Sequence, residues 1–159
     1  MDEPNWPSWT PTERAALCYV IEGGRILLIR KKLGFGAGKI SGPGGRIEPG
    51  ESAADAARRE TQEEIGVSPT GLAKAGELFF QFADGYALHC AVFTAQGAQG
   101  ELVETKEAAP FWVETSAIPF AGMWADDALW MPWMLSKRPF RGYFCFDGER
   151  MLKSRLEPL

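Results

Sequence analysis

Three glutamates, Glu60, Glu63 and Glu64, have the spacing of one helix face in the segment ESAADAARRETQEEIGV. At about 100° per residue they fall within roughly 100° of one another, on a side that also carries small alanines. Like charges three and four residues apart repel, and a divalent cation removes this conflict; oxygen-only ligands suit Mg²⁺ or Mn²⁺. A solvated acidic face paired with Arg58 and Arg59 explains the same spacing equally well. The helix alone therefore leaves a metal site and a solvated surface as alternatives.

The stretch GFGAGKISGPGG, Gly34 to Gly45, precedes the helix and suggests a phosphate-binding loop. A P-loop requires a glycine five residues before the second glycine and Ser or Thr after the lysine. Leu33 and Ile40 stand at those two positions. A dinucleotide-binding turn requires a helix where Pro43 and further glycines follow. We therefore exclude both motifs and expect the glycines to permit close backbone approach and unusual φ angles.

The loop and the helix together contain a longer pattern of fixed spacings. Its residues are Gly45, Glu51, Arg59, Glu60, Glu63, Glu64 and Gly66, followed by Val67. This resembles the Nudix box, G-x5-E-x7-R-E-U-x-E-E-x-G-U, at every fixed polar and glycine position. Seven specified residues coincide by chance on the order of 10⁻⁸ to 10⁻⁹ per start site. Thr61 departs from the usual bulky aliphatic residue, and because it lies on the predicted core side it should weaken packing slightly and leave the chemistry unchanged.

The resemblance to Nudix hydrolases implies an enzyme that hydrolyses nucleoside diphosphates linked to another moiety. It implies a Mg²⁺ site, with Mn²⁺ as an alternative ion, and a supporting shell that orients the loop and the helix. It also places Glu107 near the metal, although a charged loop residue explains Glu107 as well. A box glutamate or Glu107 would be the general base. The implied metal ligands are Glu60, Glu63, Glu64, Glu107 and the carbonyl of Gly44, and Glu51 and Arg59 form the supporting shell of the catalytic set.

From about Ala15 to Leu156 the chain is similar to the mammalian type of 8-oxo-dGTP diphosphatase within that family. The supporting stretches are RKKLGFGAGKISGPGGR, FFQF, IPFAGMWADDALWMPWML and RGYFCFDG. This similarity implies hydrolysis of 8-oxo-dGTP, or of related oxidised purine nucleoside triphosphates, to the monophosphate and pyrophosphate. Trp124 would stack on the base, and Lys31 would approach the sugar or phosphates. The implied substrate-binding set is Lys31, Ser41, Gly44, Gly45, Phe80, Trp124, Asp126 and Asp127.

The paired Asp126 and Asp127 carry the implied base recognition. Two neighbouring carboxylates in an apolar, Trp-lined pocket cannot easily both ionise, so one should hold a proton. A carboxylic acid donates where a carboxylate only accepts, and the pair can present both kinds of group to a base. Helix capping before ALWMPWML is the alternative explanation. Ser41 replaces an Asn that contacts the base, and Ala16 replaces a Thr near the sugar, so the resemblance leaves base breadth and ribose preference open.

Other functions remain open at this point. A Nudix hydrolase of ordinary nucleoside triphosphates, dinucleoside polyphosphates or ADP-ribose has the same box. A catalytically silent nucleotide-binding module is the alternative outside enzymes, and the three retained carboxylates argue against it. The net charge of −4 disfavours a nucleic acid polymer as partner. We expect a monomer that binds a small nucleotide.

The elements that must position these residues follow from hydrophobic patterning and turn signals. We predict hairpins turning at Glu22-Gly23-Gly24, at Ala83-Asp84-Gly85 and at Asp147-Gly148. A helix should begin after Ser52 and end at Gly66, and a second, DDALWMPWMLSKR, should be kinked or cut at Pro132. Residues 95–109 indicate a loop with a short strand, and APFWV a further strand. These elements predict an α+β fold with a mixed β-sheet sandwiched between helices, α/β/α.

Length and composition set the remaining expectations. With 159 residues, the chain fits an extended arm at 1–14, which Trp6 and Trp9 can pin, and a single domain at 15–159. The three cysteines are widely spaced in apolar segments and predict buried free thiols. No apolar run is long enough to span a bilayer, and the acidic N-terminus is not a targeting peptide, so we expect a cytoplasmic protein.

Overall fold

The computed structural model describes residues 1–159 and contains eleven strands and two helices. The strands are β1 (Glu13–Glu22), β2 (Arg25–Lys31), β3 (Ile40–Ser41), β4 (Gly44–Arg46), β5 (Ser68–Thr70), β6 (Ala73–Phe82), β7 (Ala87–Ala95), β8 (Gly97–Gln99), β9 (Ala108–Glu114), β10 (Phe140–Asp147) and β11 (Arg150–Pro158). Nine form one sheet in the order β11-β10-β6-β7-β1-β2-β3, with β4 beside β1 and β9 beside β2. The β1–β7 and β10–β6 pairs are parallel and the other pairs antiparallel. The predicted mixed sheet is confirmed, and so are its three hairpins.

The helices are α1 (Ala53–Ile65) and α2 (Asp127–Leu135). At the start of α1, the amide of Asp55 donates to the Ser52 hydroxyl at 3.0 Å, and Gly66 ends the helix with φ of 80°. Both predicted signals are confirmed. The helix is not cut at Pro132, because α2 continues to Leu135; the alternative of a kink stays a prediction. A proline removes a single intrahelical bond, and burial of neighbouring side chains stabilises the helix around it. Neither helix is long and apolar enough to cross a membrane.

Two hydrophobic clusters cover the two faces of the large sheet. In β1, Cys18 and neighbouring alternate residues pack with Ala57 and Ile65 of α1. Tyr19, which points to the opposite face, packs with Trp130 of α2. Because successive strand residues alternate between faces, one strand contributes to both layers. The predicted α/β/α arrangement is confirmed, and all three cysteines are buried free thiols as predicted.

Two short strands, β3 and β4, lie within the stretch that the sequence indicated only as a glycine-rich loop. β3 pairs with β2 and β4 pairs with β1, so both depend on partner strands, and local propensity gave no signal for them. Strand β1 consequently forks: its residues 15–17 pair with β4, and its end at Ile21 and Glu22 pairs with β2. This fork places the Gly44–Gly45 backbone against α1.

The N-terminal residues pack on the face of β6 and β10 opposite α2. The indole N–H of Trp9 donates to the Gln81 side chain at 2.8 Å. The Trp6 ring lies 5.1 Å from the Tyr143 ring, and the Trp9 ring lies 5.9 Å from Phe79. Strand β1 already begins at Glu13.

Candidate active site

A cavity of about 800 Å³ lies between the glycine-rich loop, the inner strands and the beginning of α2. It brings together most of the residues selected from the sequence. Three of them do not line it: Glu51, Arg59 and Glu63. Those that line it are Lys31, Ser41, Gly44, Gly45, Glu60, Glu64, Phe80, Glu107, Trp124, Asp126 and Asp127.

The acidic end of the cavity is built on Glu64 and Glu60 of α1. Glu64 is only 2% exposed, and its Oε1 accepts a hydrogen bond from the Gly44 amide at 2.9 Å. Burial raises the pKa of Glu64 to about 7, the Gly44 amide opposes that rise, and the charges of Glu60 and Glu107 add to it. Burial also raises the pKa of Glu60. The raised pKa values of these neighbouring carboxylates indicate that no positive charge in the cavity fully balances their negative charges.

Glycines 44 and 45 permit the close contact between the loop and α1. A Cβ atom on Gly45 would lie 2.4 Å from the carboxyl carbon of Glu60, and one on Gly44 would lie 2.2 Å from the Ala16 carbonyl oxygen. Both distances are far below a van der Waals contact. Only glycine therefore lets this backbone lie so close to β1 and to the half-buried Glu60 carboxylate.

Arg59 organises the outer side of the same cluster. Its guanidinium donates to both carboxylate oxygens of Glu51, at 2.8 and 3.0 Å, and to the Arg46 carbonyl at 3.0 Å. It also donates to Glu60 at 2.9 Å and to Glu63 at 3.3 Å. The hydrogen bond from Arg59 lowers the pKa of Glu51 to about 2. Loop and helix are thus joined through one planar donor group.

Glu63 does not line the cavity with Glu60 and Glu64, although the sequence placed all three on one helix face. Its side chain is 51% exposed and held by Arg59 outside the cavity lining. No three His, Cys, Asp or Glu side chains form a complete metal-binding group in this conformation. The donor set nevertheless fits a hard divalent cation, since Glu60, Glu64 and Glu107 offer only oxygens and face one another across a cavity where their charges conflict.

The opposite end of the cavity contains Asp126 and Asp127. They are only 1% and 6% exposed. The indole N–H of Trp130 donates to Asp126 Oδ2 at 2.9 Å, whereas Asp126 Oδ1 is buried without a partner. The Asp126 side chain makes no capping bond to α2, so the geometry does not support the capping alternative. A buried acceptor in a cavity wall that has no hydrogen-bond partner indicates that a bound ligand supplies the donor.

Burial raises the pKa of Asp126 to about 6. Burial also raises the pKa of Asp127, well above its usual range, and the charge of Asp126 raises it further. The raised pKa values of both carboxyls favour retention of a proton within the pair. A pair that shares one proton can offer an acid and a carboxylate side by side, which stays a prediction.

Aromatic rings enclose the region beside the aspartates. Trp124 is stacked on Phe35 with ring centres 5.2 Å apart and planes 9° apart, and Phe82 meets Trp124 edge-on at 6.1 Å. Phe80 stacks on Phe144 at 5.6 Å and lines the cavity. Sequence reasoning missed Phe35, although its flanking glycines, with φ of 76° and 78°, are a signal for an exposed loop tip.

Ser41 and Ala16, the two residues that depart from the pattern of the 8-oxo-dGTP diphosphatases, have different environments. Ser41 lines the cavity, but its hydroxyl donates locally to the Gly42 carbonyl at 3.0 Å. Its oxygen lone pairs stay available to a ligand or a water. Ala16 is fully buried in the α1-side cluster and does not line the cavity. Only Ser41 is therefore placed to affect base recognition directly.

Residues 11–134 match the family described as NUDIX domain. This chain belongs to the Nudix hydrolase family. It is 44% identical over 137 residues to the oxidized purine nucleoside triphosphate hydrolase of Danio rerio, covering 86% of this chain and 88% of that protein. It is 39% identical over 139 residues to the enzyme of the same name from Mus musculus, covering 87% and 89%.

Solved structures share the Nudix fold described above. A mutator MutT protein from Bacillus halodurans superposes with a TM-score of 0.80 at 24% identity, covering 91% of this chain and 97% of that chain. A MutT Nudix hydrolase from Burkholderia pseudomallei has a TM-score of 0.64 at 26% identity, covering 70% and 88%. Nudix hydrolases act on small nucleotides and generally depend on divalent metal ions.

Replacing Arg59 by Lys tests the supporting shell of this Nudix site. Lysine cannot form the two parallel bonds to Glu51, so we expect kcat/KM to fall about 10- to 100-fold and the melting temperature to fall. Because Arg59 lowers the pKa of Glu51, its stabilisation is present above the unfolded pKa of 4.5 and is lost as pH falls towards 2. Thermal unfolding across pH should show the two proteins converging in acid.

Arg58→Lys is the matched control, because Arg58 is an exposed neighbour that pairs only with Asp55, at 3.2 Å. It should change neither activity nor stability appreciably. Equal effects at positions 58 and 59 would contradict the assigned role of Arg59.

Proposed function

We propose that this Nudix hydrolase is a Mg²⁺-dependent pyrophosphohydrolase that converts 8-oxo-dGTP, or related oxidised purine nucleoside triphosphates, to the monophosphate and pyrophosphate. Such an activity removes damaged nucleotides from the precursor pool. One observation carries the proposal: a single cavity has clustered acidic groups at one end and, at the other, a buried pair of aspartates whose pKa values are both raised. The names of the fish and mouse relatives support the same substrate class.

At the acidic end, we assign metal binding to Glu60, Glu63, Glu64, Glu107 and the Gly44 carbonyl, with Mn²⁺ as a possible substitute ion. When bound, a divalent ion supplies charge neutralisation on the bridging phosphates and an activated water. We assign Lys31 to the phosphate oxygens, since it lines the same cavity as Glu64 and its ammonium, which donates to the Phe35 carbonyl at 2.6 Å, supplies a positive charge there. A box glutamate or Glu107 accepts the proton of the attacking water, whose oxygen bonds to the α- or β-phosphorus as the P–O bond between those two phosphates breaks.

At the base end, Trp124 provides the stacking surface and the two aspartates read the purine edge. The unpartnered Asp126 Oδ1 accepts from a base N–H, and the protonated Asp127 donates to a base acceptor. Phe80 lines the wall, and Ser41 contacts the base directly or through water. Because an unmatched base leaves a buried group unpaired, this arrangement discriminates by hydrogen-bond pattern as well as by shape.

A hydrolysis panel with Mg²⁺ tests the proposal. We expect kcat/KM for 8-oxo-dGTP to exceed that for dGTP by on the order of tenfold or more, since one well-placed hydrogen bond in a buried site has at least that effect. Pyrophosphate should be released, and EDTA should abolish turnover. Faster hydrolysis of ordinary triphosphates, dinucleoside polyphosphates or ADP-ribose would identify another Nudix substrate. Tight nucleotide binding without pyrophosphate release would indicate a silent binding module.

We also propose a monomeric cytoplasmic enzyme whose substrate is a free nucleotide rather than a nucleic acid polymer, with no membrane partner. The net charge of −4 supports a free nucleotide as the substrate, because binding of a nucleic acid polymer favours a basic surface. The exposed large apolar side chains are scattered, at Met1, Leu33, Phe35, Val103, Leu129 and Leu159. We divide the chain into an arm at 1–14 and one catalytic domain at 15–159.

A further inference from the structure

The hydroxyl of Thr105 makes two hydrogen bonds at the acidic end of the cavity. Thr105 lies in the loop between β8 and β9, two residues before Glu107. Its hydroxyl donates to the backbone carbonyl of Glu64, in the last turn of α1, at 2.7 Å. The same oxygen accepts from the backbone amide of Glu107 at 3.1 Å. One half-buried hydroxyl therefore joins the backbones of two residues whose side chains line the cavity.

The local chemistry explains why the loop meets the helix at this point. The last carbonyls of an α-helix have no partner within the helix, and the Glu64 carbonyl is one of them. The Val103 amide donates to the next carbonyl, that of Ile65, at 3.0 Å. A threonine hydroxyl also readily accepts from an amide two residues further along the chain. The loop thus caps the end of α1 and fixes the backbone turn that carries Glu107.

Lys32, directly after β2, holds the other side of this loop. Its ammonium donates to the Thr105 carbonyl at 2.9 Å and to the Glu104 carboxylate. Its backbone amide donates to the Glu107 carbonyl at 2.9 Å. These bonds attach the loop to the sheet, whereas the Thr105 hydroxyl attaches it to α1. Loss of the hydroxyl would therefore free the loop from the helix and leave its contacts with β2 in place.

We propose that Thr105 is a positioning residue, whose hydroxyl sets the place of Glu107 relative to Glu64 so that both carboxylates can bind one divalent ion. The inference rests on the metal binding assigned under the proposed function. Glu64 lies on a helix and Glu107 on a loop, so a fixed separation of their oxygens requires a bond between the two elements. Groups that orient metal ligands in this way typically change metal affinity 10- to 100-fold.

Thr105→Val tests the proposal without any substrate, because valine keeps the shape of threonine and lacks the hydroxyl. In calorimetric titration with Mg²⁺ we expect the Kd to rise about tenfold. Thr105→Ser restores the hydroxyl and should restore the affinity. In the metal-free protein, the Glu107 amide should exchange its hydrogen at least about tenfold faster in Thr105→Val than in the wild-type protein, because its acceptor is lost. Unchanged Mg²⁺ affinity in Thr105→Val would overturn the proposal.

Thr12→Val is the matched control, because the Thr12 hydroxyl makes the same pair of bonds at another place. It donates to the Ala87 carbonyl at 2.9 Å and accepts from the Ala87 amide at 3.1 Å. Thr12 does not line the cavity. We expect Thr12→Val to lower the melting temperature about as much as Thr105→Val and to leave Mg²⁺ affinity unchanged. An equal loss of Mg²⁺ affinity in both variants would mean that reduced stability alone is responsible, which would overturn the proposal.

A double-mutant cycle shows whether Thr105 acts through Glu107. In a Glu107→Gln background, Thr105→Val should cause no further loss of Mg²⁺ affinity. A full additional loss would overturn the proposed role. If Thr105→Val does not fold, hydrogen exchange in the wild-type protein decides. A Glu107 amide that exchanges as fast as that of Lys106, which donates no hydrogen bond, would overturn the proposal.

Kinetics then separate this inference from the proposed function. With 8-oxo-dGTP, or with whichever nucleotide the wild-type protein hydrolyses fastest, Thr105→Val should lower kcat about tenfold and change KM little, because the effect lies at the metal end. A change in KM alone would overturn the role of Thr105. Absence of Mg²⁺ binding by the wild-type protein would refute the proposed metal site, and this role with it. Wild-type Mg²⁺ binding that Thr105→Val leaves unchanged would overturn the role of Thr105 alone.

Discussion

Replacing Glu64 by Gln is expected to lower kcat by on the order of a thousandfold while leaving the fold intact. Loss of an essential metal ligand or general base has effects of this size. Glutamine keeps an oxygen that accepts from the Gly44 amide, so the contact between loop and helix persists. Steady-state hydrolysis, circular dichroism and calorimetric titration with Mg²⁺ provide the measurements, and Mg²⁺ affinity should fall together with turnover.

Without metal, the same variant should be at least as stable as the wild-type protein. Burial raises the pKa of Glu64 from 4.5 to about 7 in the folded state, so the wild-type protein loses stability as pH rises through that interval. Glu64→Gln avoids this loss. We expect it to gain about 3 kcal/mol above pH 7, a gain that disappears as pH falls to 4.5. Added Mg²⁺ should reverse the order of stability.

Glu101→Gln, on an exposed loop, is the control and should change neither activity nor stability. Retained full activity in Glu64→Gln would contradict the metal and base assignment. A strong loss of stability in metal-free buffer would instead mean that the Glu64 charge is compensated by groups other than a bound cation.

The parts of the fold that were predicted from sequence are those with local signals. The cap at Ser52, the glycine stop at Gly66 and the turn glycines each act within a few residues, and each appears where expected. Strands β3 and β4 were missed because they are two and three residues long and exist only through pairing with β1 and β2. A glycine-rich stretch gives no propensity signal for such strands.

The candidate site likewise contains residues that local spacing predicted and residues that only the tertiary structure brings in. The spacing of the box glutamates placed Glu60 and Glu64 in the cavity. Glu63 lies outside it because Arg59, four residues earlier on the same helix, donates to its carboxylate. The sequence offered this pairing only as the alternative to a metal site. Phe35 and Lys39 were missed as members of the base pocket, because their contacts with Trp124 join segments that are far apart in sequence. Side-chain partners across a cavity follow from tertiary packing, which local patterns do not encode.

The forked strand β1 explains how one cavity can contain two different chemistries. Its first half pairs with β4 and brings Gly44 and Gly45 to the glutamates of α1. Tyr19, two residues beyond that pairing, points to the other face and packs against Trp130, which holds Asp126. Because both ends depend on the same strand, the distance between the phosphate-binding and base-binding groups is fixed by backbone pairing rather than by flexible side chains.

Replacing Asp126 by Asn should therefore damage base selection and spare the metal end. The amide oxygen can still accept from Trp130, which turns the NH₂ group towards the position of the unpartnered Oδ1. A donor then stands where the base requires an acceptor. We expect kcat/KM for 8-oxo-dGTP to fall on the order of 10- to 100-fold, the equivalent of one charged hydrogen bond, while Mg²⁺ affinity is unchanged. The 8-oxo-dGTP/dGTP rate ratio should fall with it.

Asp127→Asn is the informative comparison, because burial and the charge of Asp126 raise the pKa of Asp127 and we expect it to hold the proton of the pair. An amide imitates a protonated carboxyl in carrying one acceptor and a donor, so this variant should lose distinctly less activity than Asp126→Asn. The order of the two losses reports the location of the proton directly. A larger loss in Asp127→Asn would place the proton on Asp126 instead, and an unchanged rate ratio in both variants would mean that the aspartate pair does not read the base.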